Sequence, residues 1–252
     1  MKKNGVHMIV QARFGSSRLP GKILRPFIGK LSGLEWIIAR GYLSKHVEHV
    51  IVATTTNPRD DATEEVCKKA DCDIWRGSED DVLQRVADAA KHFGTRIVAD
   101  ATGDNPFFDL AEMDRLVEIV DDEGFDYVNN HPAGLPLGTG TQAFTAVALA
   151  RAAAEAVDQY DHEHVTPYFY HHPELFKQRN VKPASIHPFA PNVRLTLDTS
   201  EDLRFLQLLS EGMGFSRPED QPATNEILDY LQAHPEIVAI NKEIVQKTFP
   251  KA

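Results

Sequence analysis

Short runs of apolar and β-branched residues take turns with amphipathic helical spacing through the first hundred residues, and this alternation limits the fold more than any other feature. Residues 6–12, 49–54, 72–75 and 96–99 read as buried strands. Between them, residues 33–44 have helical spacing, with Leu34, Ile37, Ile38 and Leu43 on or near one face. Asn57-Pro58 opens a second helix, where proline suits the first turn, and Ala62, Val66, Cys67 and Ala70 point inward from it. Ser78, with Glu79 and Asp80, caps a third helix that runs to about residue 93. Strand and helix in regular turn imply an α/β fold, a mostly parallel sheet with helices on both faces. The 252 residues suit one such domain and are enough to bury a substantial core.

The first strand runs into a stretch of a different kind. Gly15, Ser16, Ser17, Pro20 and Gly21 break the pattern and are threaded by Arg13, Arg18 and Lys22. Small residues let a backbone approach a ligand closely and leave N–H groups to point at it. Three fixed cations on a loop leaving a strand suit a triphosphate better than a neutral ligand. Such a loop also lies where open α/β sheets bind ligands, at the carboxyl ends of the strands. It is not a Walker A loop: five residues, not four, separate Gly15 from Gly21-Lys22, and Ile23 stands where a Ser or Thr would hold magnesium.

The fourth strand leads into an acidic loop, residues 100–109, a natural place for a divalent cation. Asp109 alone accounts for capping a helix that starts at Leu110, which leaves Asp104 for another role. Beyond Asp126-Tyr-Val-Asn129 the alternation stops. Residues 131–140 hold two prolines and three glycines, too many for a helix or central strand, and read as a long functional loop. An alanine-rich helix over about 145–157 follows. Four histidines between His162 and His172 match no standard zinc spacing. Residues 192–197 alternate as a strand, and Thr199 or Ser200 caps the helix after it. Asp198 sits at the end of that strand, one position before a cap is needed.

Composition removes whole classes. A formal charge of −10 argues against nucleic acid as partner, because nucleic-acid binding relies on a basic face. The two cysteines, Cys67 and Cys72, match no zinc or redox spacing and read as reduced packing residues. No run of about 18 apolar residues exists, and Met-Lys-Lys-Asn-Gly enters the first strand without an apolar export segment, so the expectation is a soluble, cytoplasmic protein with no membrane contact.

Ala12-Arg13-Phe-Gly15-Ser16-Ser17-Arg18-Leu-Pro-Gly-Lys22-Ile-Leu resembles the N-terminal signature of sugar-acid cytidylyltransferases. It is closest to the spore coat polysaccharide biosynthesis protein F branch and similar to the 3-deoxy-manno-octulosonate and acylneuraminate enzymes. Gly103-Asp104-Asn-Pro is similar to the family's Gly-Asp-x-Pro loop, and Leu197-Asp198-Thr-Ser-Glu-Asp-Leu to its Val-Asp-Thr-Pro-Glu-Asp-Leu. Segments 163–168, 172–176 and 235–241 also resemble the spore-coat branch, so the likeness spans nearly the whole chain.

The resemblance implies a Rossmann-like nucleotide-diphospho-sugar transferase fold in a single domain, residues 1–252, with a small acceptor and dimerisation lobe at about 129–190. It implies transfer of CMP from CTP to a keto sugar acid, with release of pyrophosphate, for a surface polysaccharide. In this reading Arg13, Arg18 and Lys22 neutralise the triphosphate, and Ala12, Gly15, Ser16 and Ser17 line it. Asp104 and Asp198 hold Mg²⁺, while Arg76, Gly77 and Ser78 lie by the base or ribose. The region 129–180 is the expected homodimer contact, with Tyr168, Phe169 and Tyr170 as exposed-looking aromatics. One departure stands out. Many members of the branch carry a carboxylate pair in the strand after the Gly-rich loop, whereas this chain offers Thr139, Thr141 and Gln142 as neutral groups for the acceptor. Two other classes stay open: a metal-dependent glycosyltransferase using a nucleotide-sugar donor, and a non-catalytic nucleotide-binding protein. The first would usually show an Asp-x-Asp motif after the fourth strand; the second would not need both aspartates beside a complete cationic loop.

Overall fold

The computed structural model describes residues 4–130, 134–184 and 186–246. Strands β1 (Val6–Gln11), β2 (Pro26–Ile28) and β3 (Leu31–Ser32) lead to helix α1 (Gly33–Tyr42). Ser32 caps α1 in a reciprocal pair with Glu35. Then β4 (His49–Thr55), α2 (Asp61–Ala70), β5 (Asp73–Gly77), α3 (Val82–His92), β6 (Ile97–Thr102) and α4 (Leu110–Glu123) alternate as the sequence pattern demands. The second half adds β7 (Tyr127–Asn129), β8 (Gln142–Thr145), α5 (Ala146–Glu155), α6 (Gln159–Glu163), α7 (Pro167–His171) and β9 (Gln178–Asn180). It ends in α8 (Ser200–Met213), α9 (Thr224–Ala233) and α10 (Pro235–Val238).

Seven strands form the main sheet in the order β5-β4-β1-β6-β8-β7-β9. The β1–β4, β1–β6, β4–β5 and β7–β9 pairs are parallel, and β8 runs antiparallel between β6 and β7. The chain leaves β1 for β4 on one side and later returns to pair β6 on the other. The carboxyl ends of β1 and β6 therefore flank the switch point at which such sheets hold ligands. Strand alternation sends Val6, Met8 and Val10 into one core with α1, α2 and α4. It sends Ile9, Val98 and Phe144 into another with α3 and α5. A third core gathers Phe27, Trp36, Phe107 and Phe215 under α8 and α9.

Several local expectations are corrected. Asp81, not Ser78, Glu79 or Asp80, caps α3 by accepting from the Gln84 N–H at 2.8 Å; the Ser78 hydroxyl instead accepts from the Asp81 N–H. β6 extends to Thr102, so Asp100 lies inside the sheet and does not open the acidic loop. Residues 192–197 form no strand of the sheet: Asn192 ends a 3-10 turn, and Arg194 makes an isolated bridge to Leu137, itself outside the named strands. Tyr168 and Phe169 are buried: Phe169 stacks on Tyr127 with centroids 4.8 Å apart, and of the three aromatics only Tyr170 is exposed. Two of the three aromatics invoked for a dimer contact thus belong to the core of the chain itself. Part of the Gly- and Pro-rich loop, residues 131–133, lies outside the described residues.

Candidate active site

The cationic loop is pinned at both ends. Phe14 donates its N–H to the buried carboxylate of Asp60 at 2.6 Å, and Thr55 donates its hydroxyl to the other oxygen of Asp60. Gly21 closes the loop by donating its N–H to the Phe14 carbonyl at 3.0 Å. It does so at φ 67°, and a Cβ there would sit 2.8 Å from the Phe14 ring, so glycine is required on both counts. A short 3-10 turn, Lys22–Leu24, then aims Lys22 back toward the sheet edge.

A separate zipper brings the two aspartates together. The Asp104 carbonyl accepts from the Leu197 N–H at 2.7 Å and from the Thr196 hydroxyl at 3.0 Å. That holds the loop after β6 beside the segment before α8. The Lys22 ammonium donates to Asp104 and to Asp198, each at 2.9 Å. Arg18 meets the same Asp198 oxygen at 2.8 Å. Burial works against the Lys22 charge, yet Asp104 and Asp198 hold its pKa above the ordinary value. Asp198 is the mirror case: burial pushes it up, but Lys22, Arg18 and Arg194 together keep it below the usual carboxylate range.

Sequence reasoning missed the support behind Asp198. Arg194 donates to its second oxygen at 3.1 Å and is itself gripped by fully buried Asp202, at 2.8 Å through Nε. Asp202 also accepts the Asp198 N–H and completes the reciprocal cap of α8 with Thr199. Thr199, not Asp198, is the cap of α8, so capping does not account for Asp198. The signal was faint, since an Arg and an Asp eight apart carry no local motif.

These groups border a cavity of about 450 Å³ at the ends of β1 and β6. Of the residues singled out from sequence, Ala12, Arg13, Gly15, Ser16, Ser17, Arg18, Lys22, Asp104 and Asp198 line it. Arg76, Gly77 and Ser78 do not. The Arg76 guanidinium turns away to Asp61, Glu64 and the carbonyls of Thr55 and Asn57. Gly77 packs against Arg85, and the Ser78 carbonyl accepts from Arg85 Nη1, so this segment reaches the cavity only through Arg85. Burial, and secondarily the nearby Arg13, lowers the Arg85 pKa to about 10, which still leaves it charged at neutral pH. Glu163 and His164 enter the wall from the end of α6; burial lowers the His164 pKa, favouring its neutral form. Thr139, Thr141 and Gln142 are absent from the wall. The first two are almost wholly buried, and Gln142 is committed to Asp100 and Tyr127. The remaining histidines of the 162–172 segment meet carboxylates, His162 with Asp81, His171 with Asp161 and His172 with Glu174.

Among the described residues no cluster of three or more His, Cys, Asp or Glu converges on one point. Asp104 and Asp198 nonetheless both reach one atom, Lys22 Nζ. Two hard carboxylates facing a common point fit Mg²⁺, which commonly takes one or two carboxylates and completes its shell with water and phosphate oxygens.

The family model described as Cytidylyltransferase matches residues 7–227. The chain belongs to the cytidylyltransferase family. Spore coat polysaccharide biosynthesis protein SpsF of Bacillus subtilis (strain 168) is 34% identical over 239 residues, covering 92% of this chain and 96% of that protein. A solved cytidylyltransferase from Leptospira borgpetersenii serovar Hardjo-bovis superposes with a TM-score of 0.84 at 30% identity, over 97% of this chain and 99% of that one. More distantly, 3-deoxy-manno-octulosonate cytidylyltransferase of Christiangramia forsetii is 27% identical over 140 residues, 54% of this chain and 53% of that protein. The resemblance carried by the Arg13–Lys22 loop is thereby borne out, and so is the nucleotidyltransferase fold. The protein is a CTP-dependent nucleotidyltransferase. No helix among its described residues is long and apolar enough to cross a membrane.

Proposed function

We propose that this cytidylyltransferase transfers CMP from CTP to a carboxylated sugar of the keto sugar-acid class, in the cytoplasm, for a surface polysaccharide. The observation that carries this reading is the convergence of Arg18 and Lys22 with Asp104 and Asp198 at the mouth of the cavity between β1 and β6. The names of the relatives supply the substrate class: SpsF is described by spore coat polysaccharide biosynthesis, and the more distant relative by its sugar acid.

In the reaction, a sugar hydroxyl oxygen bonds to the α-phosphorus of CTP. The bond from that phosphorus to the α–β bridging oxygen breaks, its electrons leave with pyrophosphate, and the hydroxyl proton passes to solvent. Such chemistry depends on positioning and charge neutralisation more than on covalent catalysis. Arg13, Arg18 and Lys22 bind the phosphates and offset the charge that grows on the leaving pyrophosphate. Ser16, Ser17 and the loop N–H groups orient the phosphate oxygens. Asp104 and Asp198 would hold Mg²⁺ once Lys22 swings from between them onto phosphate, and Arg194 and Asp202 keep Asp198 aimed. When bound, the cation polarises the α-phosphate and lowers the pKa of the attacking hydroxyl. A glycosyltransferase reading finds no favouring observation. A homodimer remains part of the proposal, though only Tyr170 of its original aromatics is exposed; a monomer mass by light scattering at micromolar concentration refutes it.

The test is pyrophosphate release from each nucleoside triphosphate across a panel of sugar acids with Mg²⁺. CTP with at least one keto sugar acid should turn over. Activity with a neutral sugar phosphate and none with any sugar acid overturns the acceptor assignment.

A further inference from the structure

From Gln11 in the cavity wall a polar chain runs across the sheet through Asp100 and Gln142. Ile9 stands opposite Asp100 in the β1–β6 pair, and Asp100 opposite Gln142 in the β6–β8 pair, so Gln11, Asp100 and Gln142 share the sheet face toward α3 and α5. Asp100 is only 6% exposed. One of its oxygens accepts from Gln11 Nε2 at 2.7 Å and the other from Gln142 Nε2 at 3.0 Å. Gln142 Oε1 in turn accepts from the Tyr127 hydroxyl at 2.8 Å. Burial raises the Asp100 pKa to about 6, against the pull of the two amide donors, so the group is ionised at neutral pH.

An ionised carboxylate can only accept hydrogen bonds. Each glutamine must therefore turn its amide nitrogen toward Asp100 and its carbonyl oxygen away. Tyr127 takes the oxygen of Gln142. Gln11 lines the cavity, so its oxygen is left as an acceptor on the cavity side. A lone glutamine could flip and present either end; this one is locked.

We propose that Asp100 is a positioning residue that fixes the Gln11 carboxamide with its oxygen toward the cavity, so that the site selects a substrate group that donates a hydrogen bond there and rejects one that only accepts. The inference rests on the cytidylyltransferase reading. Two groups share the required chemistry, the exocyclic amine of cytosine and a hydroxyl of the acceptor sugar. A group that merely accepts would face the Gln11 oxygen with neither paired, the arrangement by which polar sites reject wrong substrates.

The experiment uses the full chain, as wild type, Asp100→Asn and the Gln11→Glu/Asp100→Asn double variant. CTP and UTP binding is measured by calorimetry. KM and kcat are measured with whichever sugar acid the wild type turns over fastest. In the single variant the amide introduced at position 100 can donate as well as accept, so Gln11 is free to flip. In the double variant that amide donates to the carboxylate introduced at position 11, whose other oxygen restores the acceptor toward the cavity. If cytosine is the donor, Asp100→Asn should cut the CTP-over-UTP preference about tenfold, the scale of one hydrogen bond. If the sugar is the donor, CTP binding should hold while its KM rises about tenfold at a kcat within about threefold of wild type. In either case the double variant should recover most of the loss, which a merely structural role for Asp100 does not predict. An Asp100→Asn variant that keeps both the preference and the KM overturns the inference, and so does a double variant with no recovery. Should Asp100→Asn fail to fold, Gln11→Met deletes the acceptor directly and must lose the same preference. A wild type that binds no CTP overturns the parent reading, and this inference with it.

Discussion

Asp198 and Asp100 lie near the same edge of the sheet, 4% and 6% exposed, and are driven in opposite directions. Around Asp198 stand Lys22, Arg18 and Arg194, and their charges outweigh burial to hold its pKa low. Around Asp100 stand two neutral amides, which only partly offset burial, and the pKa rises to about 6. Burial alone therefore does not set the state of a carboxylate; the kind of partner does. The contrast matches two jobs. In the proposed function, the carboxylate among cations sits where cations and phosphates would be exchanged. A carboxylate among amides orients dipoles and passes no charge on.

The largest test of the first region is removal of its cations. Arg18→Ala and Lys22→Ala should each lower turnover at saturating CTP by about 10²–10³, the usual cost of losing a donor aimed at charge developing in the transition state. Near wild-type rates in both, by steady-state pyrophosphate release, would reduce the loop to an ordinary solvated turn.

The two proposed metal ligands should then separate. Asp104→Asn and Asp198→Asn should each lose turnover, partly restored at high Mg²⁺ or Mn²⁺, because an amide is a neutral and much poorer ligand. Their stabilities should differ. The Asp104 side chain is one-third exposed and, among the described residues, forms an ion pair only with Lys22, so the melting temperature of its variant should hold. The Asp198 side chain is buried against three cations. Its loss takes from Arg18 the carboxylate it pairs with among the described residues, while Lys22 keeps Asp104 and Arg194 keeps Asp202. Asp198→Asn should therefore melt several degrees lower. Full activity of either variant at low Mg²⁺ removes that residue from the site.

Arg76→Ala, a smaller effect, should leave turnover within about threefold, since its guanidinium is spent on Asp61 and Glu64. A hundredfold loss would return this segment to the nucleotide.

What could be read in advance follows the range of the interactions. The Arg13–Lys22 loop was legible because its small residues and its cations lie within ten positions, although the Asp60 carboxylate that anchors it comes from elsewhere in the chain. Pairing Asp104 with Asp198 rests on the resemblance and on parallel strand ends. Yet only Asp104 follows a strand of the sheet; hydrogen bonds from Leu197 and Thr196 to its carbonyl bring Asp198 beside it. Arg194 and Asp202 were hidden: their pairing needs the turn into α8, and the strand-like alternation of 192–197 suggested a sheet that does not form. The Gln11–Asp100–Gln142 chain was hidden more deeply, because its members lie on three strands and meet only through register. Tyr168 and Phe169 misled because α7 has only five residues, too few for a buried face to show against its flanking histidines.

The smallest test asks whether the two aspartates really titrate apart. A carboxylate whose folded pKa lies above its unfolded value stabilises the fold fully below the unfolded value and loses that contribution as pH rises through the folded one. For Asp100 the window runs from the ordinary 3.8 to about 6. Asp198 has the opposite sign: its contribution is present above the ordinary carboxylate pKa and is lost as pH falls through its lowered one. Between about pH 4.5 and about pH 8 the wild type should thus lose stability at Asp100 while Asp198 stays ionised in folded and unfolded chains alike. Asp100→Asn does not titrate, so its melting temperature relative to wild type should climb by a few degrees across that range. For Asp198→Asn the same difference should stay flat. Differential scanning calorimetry of the three proteins at the two pH values decides it. A flat difference for Asp100→Asn would mean that Asp100 is not held near 6, and the two carboxylates would then differ in partners but not in proton affinity.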